Sequence, residues 1–155
     1  MNDTEPLNMD FVKGLVRELE LILATAFEIF KDEPDWQGRT GAYFCVAHKE
    51  TGAPLFVVPV LKVPREKSRK YSRLCQEKAQ RLSDHPNHLT SKESADPRKD
   101  RWPGAIKGDK HIYSLSGLPG DGDEASMMVL EHTNASVIQR LVDNPYYERL
   151  RAATQ

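Results

Sequence analysis

A glycine-rich turn is the segment of this sequence best suited to hold a ligand. Residues Ser116–Gly122 read SGLPGDG and come directly before an apolar run. Backbone N–H groups in such a turn can cradle an anion at the start of a helix. The turn lacks the Gly-Lys-Ser/Thr ending of a P-loop and the spacing of a dinucleotide fingerprint. Two interpretations stay open: an anion-binding turn, or a strand-to-helix reversal that Ser116 or Asp123 caps.

Histidines supply the second set of candidate groups, because imidazole coordinates zinc and haem iron. His85 and His88 lie three residues apart in a polar stretch interrupted by proline, which also suits two solvated side chains. His132 follows Met128 by one helical turn, so it is either an axial ligand facing a pocket or a partly buried histidine with protein partners. The remaining histidines are His48 and His111.

Charge is unevenly distributed along a chain that is nearly neutral, with 22 Lys+Arg against 23 Asp+Glu. Residues 62–81 carry a local charge of +6, and residues 1–33 carry −5. The basic segment suits an anionic partner, a solvated face, or the acidic segment of the same or a second chain. Only Tyr71 interrupts the basic residues as an aromatic, so we do not expect nucleic acid as a partner.

No motif in the chain argues for catalysis. There is no Ser-His-Asp spacing, nucleophile elbow or HExxH sequence, so the sequence predicts no catalytic residue, and any metal ligand stays unknown. Cys45 and Cys75 have no CxxC partner and are predicted to be buried thiols. The acidic start MNDTEPLNMD does not resemble a signal peptide, and no apolar run could span a bilayer. We therefore expect a cytoplasmic protein without a membrane segment.

The pattern of apolar residues predicts the elements that position these groups. The chain of 155 residues is expected to form a single domain, 1–155, with its core in about 8–132, a mobile loop at about 84–103 and a C-terminal helical extension at 135–155. Predicted elements are helices over 8–30 and 65–83, hairpins over 41–63 and 104–116, and a helix opened by Asp123 and Glu124. Pro59 indicates an edge strand or a bulge. This order predicts an α+β fold with one antiparallel sheet of four or five strands flanked by helices.

Local sequence patterns add a family resemblance. The patterns are the turn Lys49–Leu55 (KETGAPL), the helix segment Ser72–Ala79 (SRLCQEKA), and the pair Pro103–Gly108 (PGAIKG) and Tyr113–Ala125 (YSLSGLPGDGDEA). Together with the element order they resemble the GlcG/HbpS-like family. The resemblance implies a profilin-like α-β-β-α-β-β-α domain. It also implies a haem or related tetrapyrrole as one class of ligand, because several members of that family bind one.

These observations lead to three expectations about function. The first is a small-ligand-binding or sensing domain, for haem by resemblance or for another small anionic ligand, with the ligand between the sheet, the 84–103 loop and the glycine turn. The second is a non-catalytic homo-oligomer that uses its acidic and basic faces, and the third is an enzyme acting on a small anionic substrate. The candidate ligand-binding residues are His132, His111, Tyr113, Ser116, Gly117 and Gly120.

Overall fold

The computed structural model describes residues 8–155 and confirms an α+β fold with one antiparallel sheet. Four strands lie in the order β2-β1-β4-β3, and helices flank the sheet. The strands are β1 (Gly41–His48), β2 (Pro54–Leu61), β3 (Ala105–Lys107) and β4 (His111–Ser116). The helices are α1 (Met9–Ile29), α2 (Arg65–Ser83), α3 (Gly120–Glu131), α4 (Ala135–Val142) and α5 (Tyr147–Thr154).

Two predicted hairpins form the sheet, and the pairing of β1 with β4 joins them. Along this central pair, Tyr43 lies opposite Ser116 and His48 lies opposite His111. Pro59 lies on β2, which is an edge strand as its proline predicted. An edge position accommodates proline because one side of that strand has no ladder to complete.

The two faces of the sheet are covered by different helices. Side chains alternate along each strand, so neighbouring residues of β1 and β4 point to opposite faces. One face packs against α1 and α3 in the main core, with Phe44, Val46, Tyr113 and Leu115 from the strands and Leu19, Leu23, Met127 and Met128 from the helices. The other face packs against α2 in a smaller cluster of Cys45, Ala47, Ile112, Cys75, Ala79 and Leu82. Both cysteines are therefore buried free thiols, as predicted.

Helix α1 begins at Met9, with Asn8 as its N-cap. The Asn8 side chain accepts a hydrogen bond from the Asp10 N–H at 2.7 Å, which satisfies one of the unpaired donors of the first turn. Among residues 8–155, no helix has both the length and the apolar character needed to cross a membrane.

The C-terminal helices belong to the main core. Ile138 of α4 and Tyr147 and Leu150 of α5 are buried in the same cluster as α1 and α3. The core therefore continues past residue 132, where the sequence pattern placed its end. The apolar residues of this extension recur at helical spacing, so each helix has an apolar face that packs into the main core.

The 84–103 segment contains two short 3-10 helices, Ser91–Ser94 and Pro97–Lys99. The guanidinium of Arg81, 6% exposed, anchors the segment to α2. It donates hydrogen bonds to the Ser91 carbonyl at 2.7 Å and the Trp102 carbonyl at 2.6 Å. These bonds give the segment a defined path along the end of α2. Its expected mobility stays a prediction.

Helix α3 begins at Gly120, three residues before the start that Asp123 and Glu124 predicted. That prediction was wrong because the glycine turn itself enters the helix, with Pro119 at the N-cap. Proline has no N–H to leave unsatisfied at this position. As a result, Asp123 and Glu124 lie within the helix and are buried instead of opening it at the surface.

Candidate functional site

A cleft of about 680 Å³ opens between α2, the 84–103 segment and the glycine turn. Its volume lies in the range of pockets that hold small organic ligands. Three aromatic side chains contribute to its lining: Tyr71, Trp102 and Tyr146. The Tyr146 ring packs on Phe30 with 4.9 Å between centroids, so the core holds this part of the wall in place.

One face of α2 forms a wall of the cleft. Lys70, Tyr71, Leu74 and Lys78 lie on this wall. Their spacing of one, four and eight residues places them on the same side of a helix. Tyr71 and Leu74 provide apolar surface, whereas the two lysines bring positive charge.

Lys78 and Asp123 form a buried ion pair in this cleft. Lys78 is 1% exposed and Asp123 is 2% exposed. The Lys78 ammonium donates to Asp123 Oδ2 at 3.0 Å and to the Leu115 carbonyl at 2.7 Å. The other oxygen of Asp123 accepts the Leu118 N–H at 2.9 Å. The pair therefore joins α2, the end of β4, the glycine turn and α3 at one point.

Burial opposes the charged form of Asp123 and raises the pKa of its carboxyl to about 6. The positive charge of Lys78 and the N–H of Leu118 act in the opposite direction. Arg39 also lowers this pKa through its charge, from the cleft side. The effect of burial is larger than these opposing effects, so the pKa of the carboxyl lies above its ordinary value.

The four cations of the cleft differ in their partners. Lys78 pairs with Asp123, and Lys92 pairs with Asp121 at 3.0 Å. Arg39 instead donates to backbone carbonyls, at 2.7 Å to Asp35 and 3.0 Å to Gly117. Lys70 is exposed and has no ion pair within 4.0 Å among residues 8–155. Within residues 8–155, Arg39 and Lys70 are thus the two cations of the cleft without a carboxylate at ion-pair distance.

Glu124, the neighbour of Asp123, ties together the other side of the cleft. It is completely buried, and its carboxylate accepts hydrogen bonds from the Thr90 hydroxyl and from the Asn144 amide, the latter at 2.8 Å. Burial raises the pKa of Glu124, and these two hydrogen bonds lower it. Thr90 belongs to the 84–103 segment, and Asn144 lies two residues before Tyr146. Glu124 therefore fixes both to α3.

Three predicted site residues line this cleft, namely Ser116, Gly117 and Gly120. Gly117 has a φ of +151°, and a Cβ there would lie 2.5 Å from the Gly41 carbonyl oxygen. A side chain is therefore incompatible with the close approach of the turn to β1. At Gly120 a Cβ would lie 2.8 Å from the Pro103 ring. The glycines let the turn pass close to the neighbouring backbone.

The other predicted residues lie elsewhere in the structure. Tyr113 is buried in the main core, where burial raises the pKa of its hydroxyl to about 12. His111 is buried at the start of β4, opposite His48. His132 ends α3 and lines a separate cavity of about 420 Å³ between α1, α3 and α5. The structure therefore does not bring the six predicted residues together in one site.

The side chains that could bind a metal ion or haem iron are those of histidine, cysteine, methionine, tyrosine and the carboxylates. Within residues 8–155, no group of three or more His, Cys, Asp or Glu side chains is arranged to hold a metal ion. His85 and His88 stack with 4.5 Å between ring centroids, and the cleft lining contains no His, Cys or Met. Those side chains, with tyrosine, are the ligands that bind haem iron. Of these side chains the cleft lining offers tyrosine alone, at Tyr71 and Tyr146, and haem stays a prediction.

No family model, curated protein or solved structure matches this chain. The resemblance to the GlcG/HbpS-like family therefore stays a prediction. Any conclusion about function therefore comes from the cleft and its residues.

Sequence reasoning missed Lys78 and Asp123 as a pair. Position 78 falls on the apolar stripe of α2, between Cys75 and Leu82, and a lysine at such a position needs a buried partner. Asp123 similarly lies among the buried residues of α3. The structure brings two patterns of the sequence together here, Ser72–Ala79 and Tyr113–Ala125.

Proposed function

We propose that the protein is a ligand-binding or sensing domain that holds a small organic anion in the cleft between α2, the 84–103 segment and the glycine turn. The observation that carries this proposal is a cleft of about 680 Å³ in which Arg39 and Lys70 have no carboxylate partner among the described residues. A ligand with a negative group gains a charge-assisted hydrogen bond from either cation.

The lining also favours an organic ligand over a simple inorganic ion. Tyr71, Trp102 and Tyr146 present large flat surfaces, which bind apolar or planar groups well. We therefore propose a ligand with one acidic group and an apolar or planar body.

The test is a thermal-shift screen of the full chain against carboxylates and phosphate esters. A ligand at about 100 times its Kd stabilises the folded state by about 2.7 kcal/mol, or roughly 5–10 °C in Tm for a domain of this length. Lys70→Gln should weaken binding about tenfold, because it removes one charged contact. Lys67→Gln is the matched control, since Lys67 is exposed on the same helix outside the cleft. Equal losses in both variants would contradict the proposal.

A second candidate function, a homo-oligomer, has its own observation. The first half of α2 exposes Arg65, Lys67, Arg69, Lys70 and Arg73, and Lys62 is exposed just before the helix. Helix α1, in the acidic part of the chain, packs on the opposite face of the sheet. Because the sheet separates the two helices, their charges can meet only between two copies. Light scattering should then show a mass that falls between about 50 mM and 500 mM salt, since screening shortens from more than 10 Å to a few ångströms. A constant monomer mass would contradict this candidate.

A further inference from the structure

We propose that Lys78 is a nucleophilic amine that forms an imine with a small 2-oxo acid held in the cleft. This inference rests on the proposed function, because it names the chemical class of the organic anion. The proposed function uses Arg39 and Lys70 to bind the negative group of the ligand. It gives no role to the buried Lys78, whereas imine formation does.

The position of the Lys78 nitrogen supports the inference. Lys78 contributes to the cleft lining, yet only 1% of its surface is exposed. Its nitrogen has two acceptors, Asp123 and the Leu115 carbonyl, for three possible N–H donors. Gly104 lets the backbone pass directly beside the nitrogen, because a Cβ there would lie 2.6 Å from it. A larger residue at 104 would displace the amine.

Asp123 is placed to move the proton that this reaction needs. Because Lys78 and Asp123 are almost completely buried, transfer of a proton from the ammonium to the carboxylate replaces two buried charges by two neutral groups. The Asp123 oxygen lies 3.0 Å from the Lys78 nitrogen, within the distance that general acid–base catalysis requires. The neutral amine then has the lone pair that an ammonium lacks.

The step balances without an oxidant or a metal. The Lys78 amine attacks the carbonyl carbon, a C–N bond forms, and a proton passes from nitrogen to oxygen to give a carbinolamine. The Asp123 carboxylic acid then donates its proton to the hydroxyl group, the C–O bond breaks, and water leaves. The products are a protonated imine and the Asp123 carboxylate. The net reaction joins the ammonium and the carbonyl with loss of one water.

A 2-oxo acid fits the groups around Lys78. It carries a carbonyl group for the amine and an adjacent carboxylate for a cation. Arg39 and Lys70 line the same cleft and, within residues 8–155, have no carboxylate partner. Lys92 also lines the cleft, but it is paired with Asp121 and its side chain is 27% exposed. Lys78 is therefore the lysine with a buried proton acceptor and little access to solvent.

The experiment is reductive trapping on the full chain. Glyoxylate, pyruvate and phenylpyruvate are added one at a time with sodium cyanoborohydride, and intact mass and peptide mapping locate the product. The inference predicts one reduced adduct per chain, on Lys78, with at least one of the three acids. Asp123→Asn keeps the amine but removes the proton acceptor, so trapping should slow at least tenfold while circular dichroism stays native.

The control variant is Lys78→Met combined with Asp123→Leu, which removes the amine without leaving a buried charge. This variant should fold and show no adduct. Adducts spread over surface lysines, or an equal yield in the control, would overturn the inference. Thermal stabilisation by these acids without any adduct would overturn the imine and leave the proposed binding function intact. Neither stabilisation nor an adduct, together with no stabilising anion in the wider screen, would overturn both.

Discussion

Asp123 and Glu124 are adjacent on α3 and both are buried, but they are stabilised in different ways. Asp123 faces a cation, the Lys78 ammonium at 3.0 Å. Glu124 instead accepts hydrogen bonds from two neutral groups, the Thr90 hydroxyl and the Asn144 amide. Burial is the largest influence on both carboxyls and raises the pKa of each.

The difference shows how one helix holds both sides of the cleft. Asp123 binds Lys78, which also contacts the Leu115 carbonyl and so holds α2 against the end of β4. Glu124 binds Thr90 and Asn144 and so holds both at the same turn of α3. Loss of a charged partner leaves an uncompensated buried charge, whereas loss of a neutral partner leaves an unpaired dipole. The first is the costlier change.

Lys78→Met should therefore produce the largest loss of stability. It leaves the Asp123 carboxylate buried without a cation, which typically costs about 3–5 kcal/mol. Urea denaturation of the variant measures this loss. The matched control is Lys70→Met, at an exposed position of the same helix, with an expected change of about 0.5 kcal/mol or less. A similar small change at both positions would show that the pair is not important for folding.

The pH dependence of stability should separate Asp123 from Glu124. Because the pKa of Asp123 rises from 3.8 to about 6 on folding, the folded state holds its proton more tightly. The contribution of Asp123 protonation to the free energy of unfolding is fully present below about pH 4 and is lost as the pH rises through about 6.

Asp123→Asn removes this titration, whereas Glu124 is common to both proteins. The free energy of unfolding of the wild type minus that of the variant should fall between pH 4 and 7.5. At 1.36 kcal/mol per pKa unit the fall is on the order of 3 kcal/mol. Denaturation at several pH values measures it, and a difference that rises with pH would contradict the account.

Glu124→Gln should have the smallest effect of the three. The amide keeps one oxygen as an acceptor but replaces the other by a donor, so either the Thr90 hydroxyl must turn from donor to acceptor or the Asn144 hydrogen bond is lost. The expected cost is about 1–2 kcal/mol, measured by urea denaturation. A loss larger than that of Lys78→Met would reverse the comparison between the two carboxyls.

The sequence predicted most elements because their signals are local. Helix α2 spans Arg65–Ser83 as predicted, since Pro64 precedes it and its apolar residues recur every three to four positions. The edge position of Pro59 follows from its missing N–H. The start of α3 was less predictable, because glycine and proline favour a turn and the Leu118–Asp123 contact that supports an earlier start is not visible in the pattern.

The site was harder to predict because it depends on tertiary contacts. Lys78 lies in a basic run, where its burial is hidden among exposed lysines and arginines. The glycine turn was found because close backbone approach requires glycine, as at Gly117. Histidine type alone did not indicate position: His111 lies on β4, and His132 lines a different cavity.

The most direct test of anion binding in the cleft is an amide NMR titration of the full chain with the anions that stabilise it. If an organic anion binds in the cleft, saturable chemical-shift changes should be concentrated in residues 116–121 and 70–74, where the cleft is formed. These shifts should weaken in Lys70→Gln but not in Lys67→Gln. Shifts concentrated around His132 and the 420 Å³ cavity, or shifts without saturation, would contradict the account.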